Sequence, residues 1–428
     1  MIPLHLRRGA AALAVSAVIG AVTAPAALAA PNAPVAPTPS SPPTVPSGLY
    51  GTGDPTYDGV FRQSLALTAQ RENGVQPAAK AVDWLVGQQC GDGGFASFRA
   101  ETGKDKDCDA KLVRDTNATA TALQALKAVG GQDAAVKKAV GWLKSVQNAD
   151  GGWPYNPGMP SDANSTALVT GALVDAGEKQ DALKGKDGKT PFQTLLGFQV
   201  TCDGKTENQG SFAFQPDKAG KLYPSADATA AVVTALAGRG GPVIDVPKEK
   251  DKPVEAAPGC KEGMADPQAG AAGGSDYLAR SLDKNGGYLK SAMPGAEAKP
   301  DFGNTADAVV ALAADGHQAA AKKSVDWLAK NSADWAKQNG PAAYAQLLFA
   351  AHATGMDPQN FGGADLVKQL NATGPAPETK KDAADAAKKS DDDGGSSTTT
   401  WLIVGVAFVA SMGAGFLISG RNKNKQNL

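Results

Sequence analysis

A unit that recurs along the chain limits what it can fold into: a helix end, a glycine turn and an aromatic residue. It is clearest in residues 139–153, AVGWLKSVQNADGGW. Ala139, Trp142, Leu143 and Val146 stand at i, i+3, i+4 and i+7 and so form one apolar helical stripe. Lys137, Lys138 and Lys144 lie off that stripe. Gln147 closes the helix, where it can hydrogen-bond the last free carbonyls. Gly151 and Gly152 give the backbone freedom to reverse, and Trp153 can fold back onto the hairpin. Residues 81–95, AVDWLVGQQCGDGGF, repeat the pattern with Trp84, Leu85, Gln88, Gly93, Gly94 and Phe95. Residues 194–212 keep Leu196, Phe198, Gln199, Gly210 and Phe212. Residues 277–288 end in Gly286, Gly287 and Tyr288. Residues 325–335 keep Trp327 and Trp335 without the glycines. Such a period marks stacked copies of one supersecondary unit.

A second set of helices alternates with the first. Residues 115–129, 162–174, 227–238 and 303–314 align as Asn117/Asn164/Asp227/Gly303, then Thr119/Thr166/Thr229/Thr305, then Ala120/Ala167/Ala230/Ala306. Asn and Asp at their starts suit N-caps. Their bodies read as nearly uncharged, and a helix apolar all round is buried on all sides. These helices are expected to form an inner ring, with the lysine-bearing helices outside. The pairs expected are 58–71 with 77–89, 115–129 with 133–147, 162–177 with 191–200, 227–238 with 274–283, 304–314 with 318–330, and 341–355 with 362–371. Residues 239–273 read as a polar insertion between two of them. The fold class is therefore all-α, with about six helical hairpins.

The order aromatic, Leu, Gln, Gly, aromatic over residues 50–371 resembles the repeat of the terpenoid cyclase and protein prenyltransferase family. The resemblance implies an α/α toroid in which the Gln and the aromatic hold the scaffold. It does not bring the family's chemistry with it. The acidic Asp-x-Asp-Asp motif of class II cyclases is approached only by Asp105-Lys106-Asp107-Cys108 and by the linker run Asp391-Asp392-Asp393. The Asp-rich motif for diphosphate ionisation is absent from the domain. At the positions similar to the prenyltransferase zinc ligands, Asn117 and Asn164 stand in place of cysteine. Residues 147–154 are similar to a string in toroidal pectate lyases, but nothing in the sequence orders Arg99 and Arg114 into a site. Asp105, Asp107 and Asp109 alternate as at the start of a calcium loop, yet Ala110 and Thr116 replace its glycine and distal Glu. His317 and His352 read as packed or surface residues. No cofactor, no metal and no catalytic residue is expected.

The ends of the chain read as export and anchoring segments. Residues 1–29 have a basic start, an apolar run from Ala10 to Val22 and the small-x-small site Ala27-Leu28-Ala29, the pattern of a signal peptide. Residues 30–49 form a Pro/Ser/Thr-rich linker. A polar linker, 372–400, leads to an uncharged run at 401–420 that is long enough for one membrane span. Residues 421–428 carry Arg421, Lys423 and Lys425, which places that tail in the cytoplasm. Four cysteines suit an oxidising compartment, with Cys90–Cys108 and Cys202–Cys260 as the expected pairs. With 42 basic and 43 acidic residues, the chain offers no case for nucleic-acid binding.

The inner helix starts supply the candidate site: Asp115, Asn117, Asp162, Asn164, Asp227 and Asn304. Gathered at one rim, they form a polar collar over an apolar lumen, the usual build of a small-molecule pocket. No paired acid and base stands out among them. The first reading is a membrane-anchored surface protein that binds a small or apolar ligand, or a surface polymer, without turnover. Cobalamin carriers, which use the same toroid for capture, resemble it in this. The alternatives are an exported terpenoid-cyclase-like or polysaccharide-cleaving enzyme and a structural spacer. A carboxylate pair facing the lumen would mark the enzyme, and a fully packed lumen the spacer.

Overall fold

The first turn of the inner helices read at 115–129, 162–174, 227–238 and 303–314 is fixed by a side chain just ahead of each. Asp115 Oδ1 accepts from the Ala118 N–H at 2.9 Å, and Asp162 Oδ1 from the Ser165 N–H at 2.7 Å. Ser225 Oγ and Asp301 Oδ1 do the same for Ala228 and Asn304. These are N-caps, worth roughly 1 kcal/mol each. Four expected caps are thereby corrected. Asn117, Asn164, Asp227 and Asn304 lie inside their helices, because Asp115, Asp162, Ser225 and Asp301 stand earlier with extended backbone and an oxygen in reach.

The computed structural model describes residues 45–379 except 101, 103–106, 201–205, 239–242, 244–250, 256–265 and 292–298. The expected signal peptide, the 401–420 span and its tail, and Cys202 and Cys260 lie outside the described residues. All described residues belong to one compact unit, Pro43–Leu428. They form α1 (Pro55–Glu72), α2 (Ala79–Gln88), α3 (Thr116–Val129), α4 (Asp133–Ser145), α5 (Ala163–Asp175), α6 (Pro191–Leu196) and α7 (Ala226–Leu236). The unit continues with α8 (Pro267–Lys284), α9 (Phe302–Ala314), α10 (Gln318–Asn331), α11 (Ala333–Asn339), α12 (Pro341–Thr354) and α13 (Leu366–Asn371). A two-stranded antiparallel pair, β1 (Leu289–Lys290) and β2 (Pro300–Asp301), precedes α9. None of the described helices is long and apolar enough to cross a membrane.

The six expected hairpins are present. Helices α1, α3, α5, α7, α9 and α12 pack in that order, each on the next, and α12 packs back on α1. The inner ring therefore closes. The second helix of each pair packs outside it, α4 on α3, α8 on α7 and α10 on α9 among them. Two boundaries differ from expectation. Helix α8 begins at Pro267, inside the segment read as an insertion, with Asp266 as its cap. Ordered contacts also run past Asn371: the Tyr50 hydroxyl donates to the Pro375 carbonyl, and Glu378 accepts from the Ala79 N–H.

The repeat now has a physical explanation. The N–H of Trp153 donates to Thr166 Oγ1, and its carbonyl accepts from the N–H of the next cap, Asp162. Phe95 is held by Thr119 and Asp115, and Phe212 by Thr229 and Ser225, in the same way. Each glycine turn is thus laced to the following inner helix. Its aromatic ring is driven into the core, where Phe95, Trp153 and Phe212 are fully buried. Gly151 has φ of 87°, and a Cβ there would meet the Lys189 carbonyl at 2.3 Å. Gly93 meets Lys138 alike. Only glycine fits, both for its dihedral and for the approach of the next outer segment.

Two details of the expected repeat change. Gln147 Nε2 bonds the Gly151 carbonyl rather than its own helix end. Its partner in the second copy is Gln89, which bonds Gly93, and not Gln88, which bonds Arg99. In the fourth copy Leu289, not Tyr288, takes the buried position, its N–H on Thr305 Oγ1. Tyr288 instead stacks on Trp327, the two ring centres 4.7 Å apart. Cys90 and Cys108 are joined as expected and close the loop ahead of α3.

Candidate functional site

Counting from each cap locates the lumen. The residues four past the caps are the buried threonines that lace the turns. Those six past the caps on α3, α5, α7 and α9 are Thr121, Leu168, Ala231 and Asp307, and all four line one central cavity. Nine past are Gln124, Gly171, Thr234 and Val310, which line it too. Helix α1 adds Phe61 and Leu65, and α12 adds Gln346 and Phe349. All six inner helices therefore contribute to a cavity of about 190 Å³. The spacing of three and four residues is that of one helical face.

Most of this wall is Ala, Leu, Val and Phe. Against it stand Asp307 on α9 and Asp227 on α7. Gln346 Nε2 donates to both oxygens of Asp307, at 3.3 and 3.2 Å. Asn164 Nδ2 donates to Asp227 Oδ2 at 2.7 Å. Asp307 is half-buried and lines the cavity. Burial, and then the negative charge of Asp227, push its carboxyl up to about 7. Burial also raises Asp227, against the pull of its bond from Asn164. Asp227 is nevertheless well exposed, so the lumen opens to solvent at the end where the helices begin.

The expected collar is only partly a collar. Of its six residues Asp227 alone lines the cavity. Asp115 and Asp162 are buried caps, and burial raises the Asp162 carboxyl. Asn117 and Asn164 occupy the same place on α3 and α5 that Asp227 has on α7, one turn above the lining residues. The Oδ1 of each is buried without a hydrogen bond. Asn304 turns its amide to Asp301 Oδ2 at 2.9 Å and stays out of the lumen.

Asp307 is a lumen carboxyl that the six candidate residues do not include. It was legible as the one acid within the body of the string GNTADAVVALAA. Its neighbours in the column are Thr, Leu and Ala, however, so the repeat gave it no support. The lumen is hollow, and two acidic residues line it.

Other candidates sit elsewhere. Arg114 Nε pairs with Asp92 at 3.1 Å, and Arg99 reaches Cys108 Sγ, so both brace the disulfide loop. Asp107 accepts from the N–H groups of Gly91 and Cys108. His317 is buried between the Lys252 carbonyl and Asp315. No group of acids, histidines or cysteines among the described residues is placed to hold a metal ion.

No family model matches the chain, and no curated protein matches it. Among solved structures it is similar to a protein from Actinoplanes, at 14% identity and a TM-score of 0.44 over 72% of this chain and 94% of that one. It is similar to ent-copalyl diphosphate synthase from Streptomyces platensis, at 16% identity and 0.45, over 69% of this chain and 50% of that one. The type II terpene cyclase MstE from Scytonema matches at 13% identity and 0.44, over 73% and 94%.

Proposed function

We propose that the lumen is a binding chamber for a small, largely apolar molecule, and that the chain displays it outside the cell. The observation that carries this is the hollow itself. Six helices leave about 190 Å³ unfilled between apolar walls with a few placed polar groups. That is the composition of a ligand pocket, and a ring serving only as a spacer gains nothing by it. An apolar cavity of roughly 150 Å³ already takes up benzene. Export and anchoring rest on the apolar run at 10–22, the site Ala27-Leu28-Ala29 and the uncharged run at 401–420, together with the Cys90–Cys108 disulfide. Native mass spectrometry of protein purified from its own host should show a retained mass. Protease shaving of intact cells should release a fragment holding residues 50–371. A ligand-free chain, or an intact chain recovered from cytosol, goes against the respective half of the reading.

A second reading is favoured by Asp307. A carboxyl held protonated near neutrality in an apolar chamber, beside a second carboxylate, suits a general acid. The alternative is thus an enzyme that protonates an apolar substrate and returns the proton through Asp227. The retained molecule decides between the two. A single unaltered compound supports capture. A substrate that is converted by wild type and only held by Asp307→Asn supports catalysis.

A further inference from the structure

Asp307 and Asp227 face a cavity whose wall, among the described residues, holds no Lys, Arg or His. Their hydrogen-bond donors are neutral amides, Gln346 for one and Asn164 for the other. The other charge that acts on both is Asp301, which is also negative. Two carboxylates in an apolar hollow without a counter-charge need either a proton or a cation from outside. The rest of the wall offers a cation nothing, but it suits an alkyl stem: Phe61, Leu65, Leu168, Val310 and Phe349 supply apolar surface. Asp227 stands at the open end, so a charged group has a polar path inward.

Building on the lumen as the binding site, we propose that its ligand is an alkylammonium, with the cationic head between Asp307 and Asp227 and the stem along the apolar wall. The head supplies the charge the wall lacks, and Gln346 and Asn164 keep both carboxylates aimed at it. The same chemistry is offered by a free alkylamine and by a lysine side chain on a polypeptide.

The pH dependence follows from Asp307. Its carboxyl keeps its proton up to about 7, and that proton must leave when an ammonium enters. An alkylamine stays charged to about pH 10. Amine affinity should therefore rise from pH 5 through 7 and level off above it. Asp227, Asp301 and Asp307 are the charged groups that bear on this step, from α7, from the cap of α9 and from α9; α12 presents only the neutral Gln346.

The test is calorimetric titration of the purified full chain with hexylamine, with N-acetyl-lysine amide and with hexan-1-ol. At pH 8 one or both ammonium probes should bind about tenfold or more tightly than the alcohol, as charged hydrogen bonds provide. Which of the two binds tells a free amine from a presented lysine. Asp307→Asn and Asp227→Asn should each abolish that preference while alcohol binding persists, which also shows that the variants fold. Equal binding of alcohol and amines, or a flat pH profile for the amines, overturns the ammonium proposal and leaves the chamber standing. Binding of none of the three overturns both.

Discussion

On α3, α5, α7 and α9 the residue four past the cap is Thr119, Thr166, Thr229 or Thr305, each fully buried and each accepting a turn N–H. Two residues further on, the same helices carry Thr121, Leu168, Ala231 and Asp307, which face the lumen. One column repeats and the other does not. The difference is physical. The threonine meets the same backbone group in every copy, so one side chain serves throughout. The lumen column lines the hollow, and nothing about closing a ring makes its members alike. Repetition here marks the scaffold, and departure from it marks the site.

The largest effect should come from breaking a copy of the scaffold. Trp153 is fully buried and its Nε1–H donates to the Leu143 carbonyl at 2.7 Å. Trp153→Ala should cost about 3–5 kcal/mol, from lost burial and the cavity left behind. Tyr288, at the equivalent place in the sequence, is half-buried and stacked on Trp327, so Tyr288→Ala should cost far less. Urea unfolding midpoints of the two variants compare them. Equal losses would mean that the fourth copy is not looser than the others.

Next comes the lumen column. Asp307 is raised in the folded chain from 3.8 to about 7, so the folded state holds its proton more tightly than the unfolded one. Stability from this group is fully present below about pH 4 and falls as pH rises to 7. Asp307→Asn should thus stabilise the chain at pH 8 by on the order of 2–4 kcal/mol, with the gain vanishing near pH 4. Thermal melts of both proteins across that range check it. A scaffold residue would show the opposite sign. If Asp307→Asn destabilises at pH 8, then Asp307 belongs with the threonines as a structural group.

Thr166→Val tests the lacing column with almost no change of shape. The Trp153 N–H would be left buried without an acceptor, at a cost of about 1–3 kcal/mol. Hydrogen exchange at Trp153 should quicken with it. A change as small as that of a surface substitution would show that the threonine column packs rather than bonds.

How far the sequence could be read follows the same division. Six hairpins, their order and the threonine column were visible because each repeats. The Cys90–Cys108 link was visible because both residues flank one excursion. The caps of α7 and α9 are not legible in the sequence, because Asp227 and Asn304 are cap-forming types too, and only backbone geometry separates them from Ser225 and Asp301. Gln88 and Gln89 could not be told apart, since they are adjacent and both are bonded. Asp307 is not legible as a site residue, because a single acid in an alanine-rich string has no periodic partner. Its meaning comes from Asp227 and Gln346, which lie on other helices and meet it only when the ring closes.

The smallest stability effect, and the finest test, concerns two neighbours on one turn. Asp162 and Asn164 both belong to the expected collar, but they fall on different sides of the comparison. Asp162 is a buried cap whose Oδ1 serves the Ser165 N–H, so Asp162→Ala should cost about 1 kcal/mol and leave the retained ligand in place. Asn164 is partly exposed, and its Nδ2–H reaches Asp227. Asn164→Ala should change stability by no more than about 0.5 kcal/mol. It removes the bond that holds the Asp227 carboxyl down, so that carboxyl should rise further. Ligand retention should weaken in Asn164→Ala and in the double variant, and not in Asp162→Ala. Native mass spectrometry with unfolding curves on the same three samples reads both quantities. If Asn164→Ala keeps its ligand as wild type does, Asn164 does not serve the site and the chemistry of the lumen rests on α7, α9 and α12 alone.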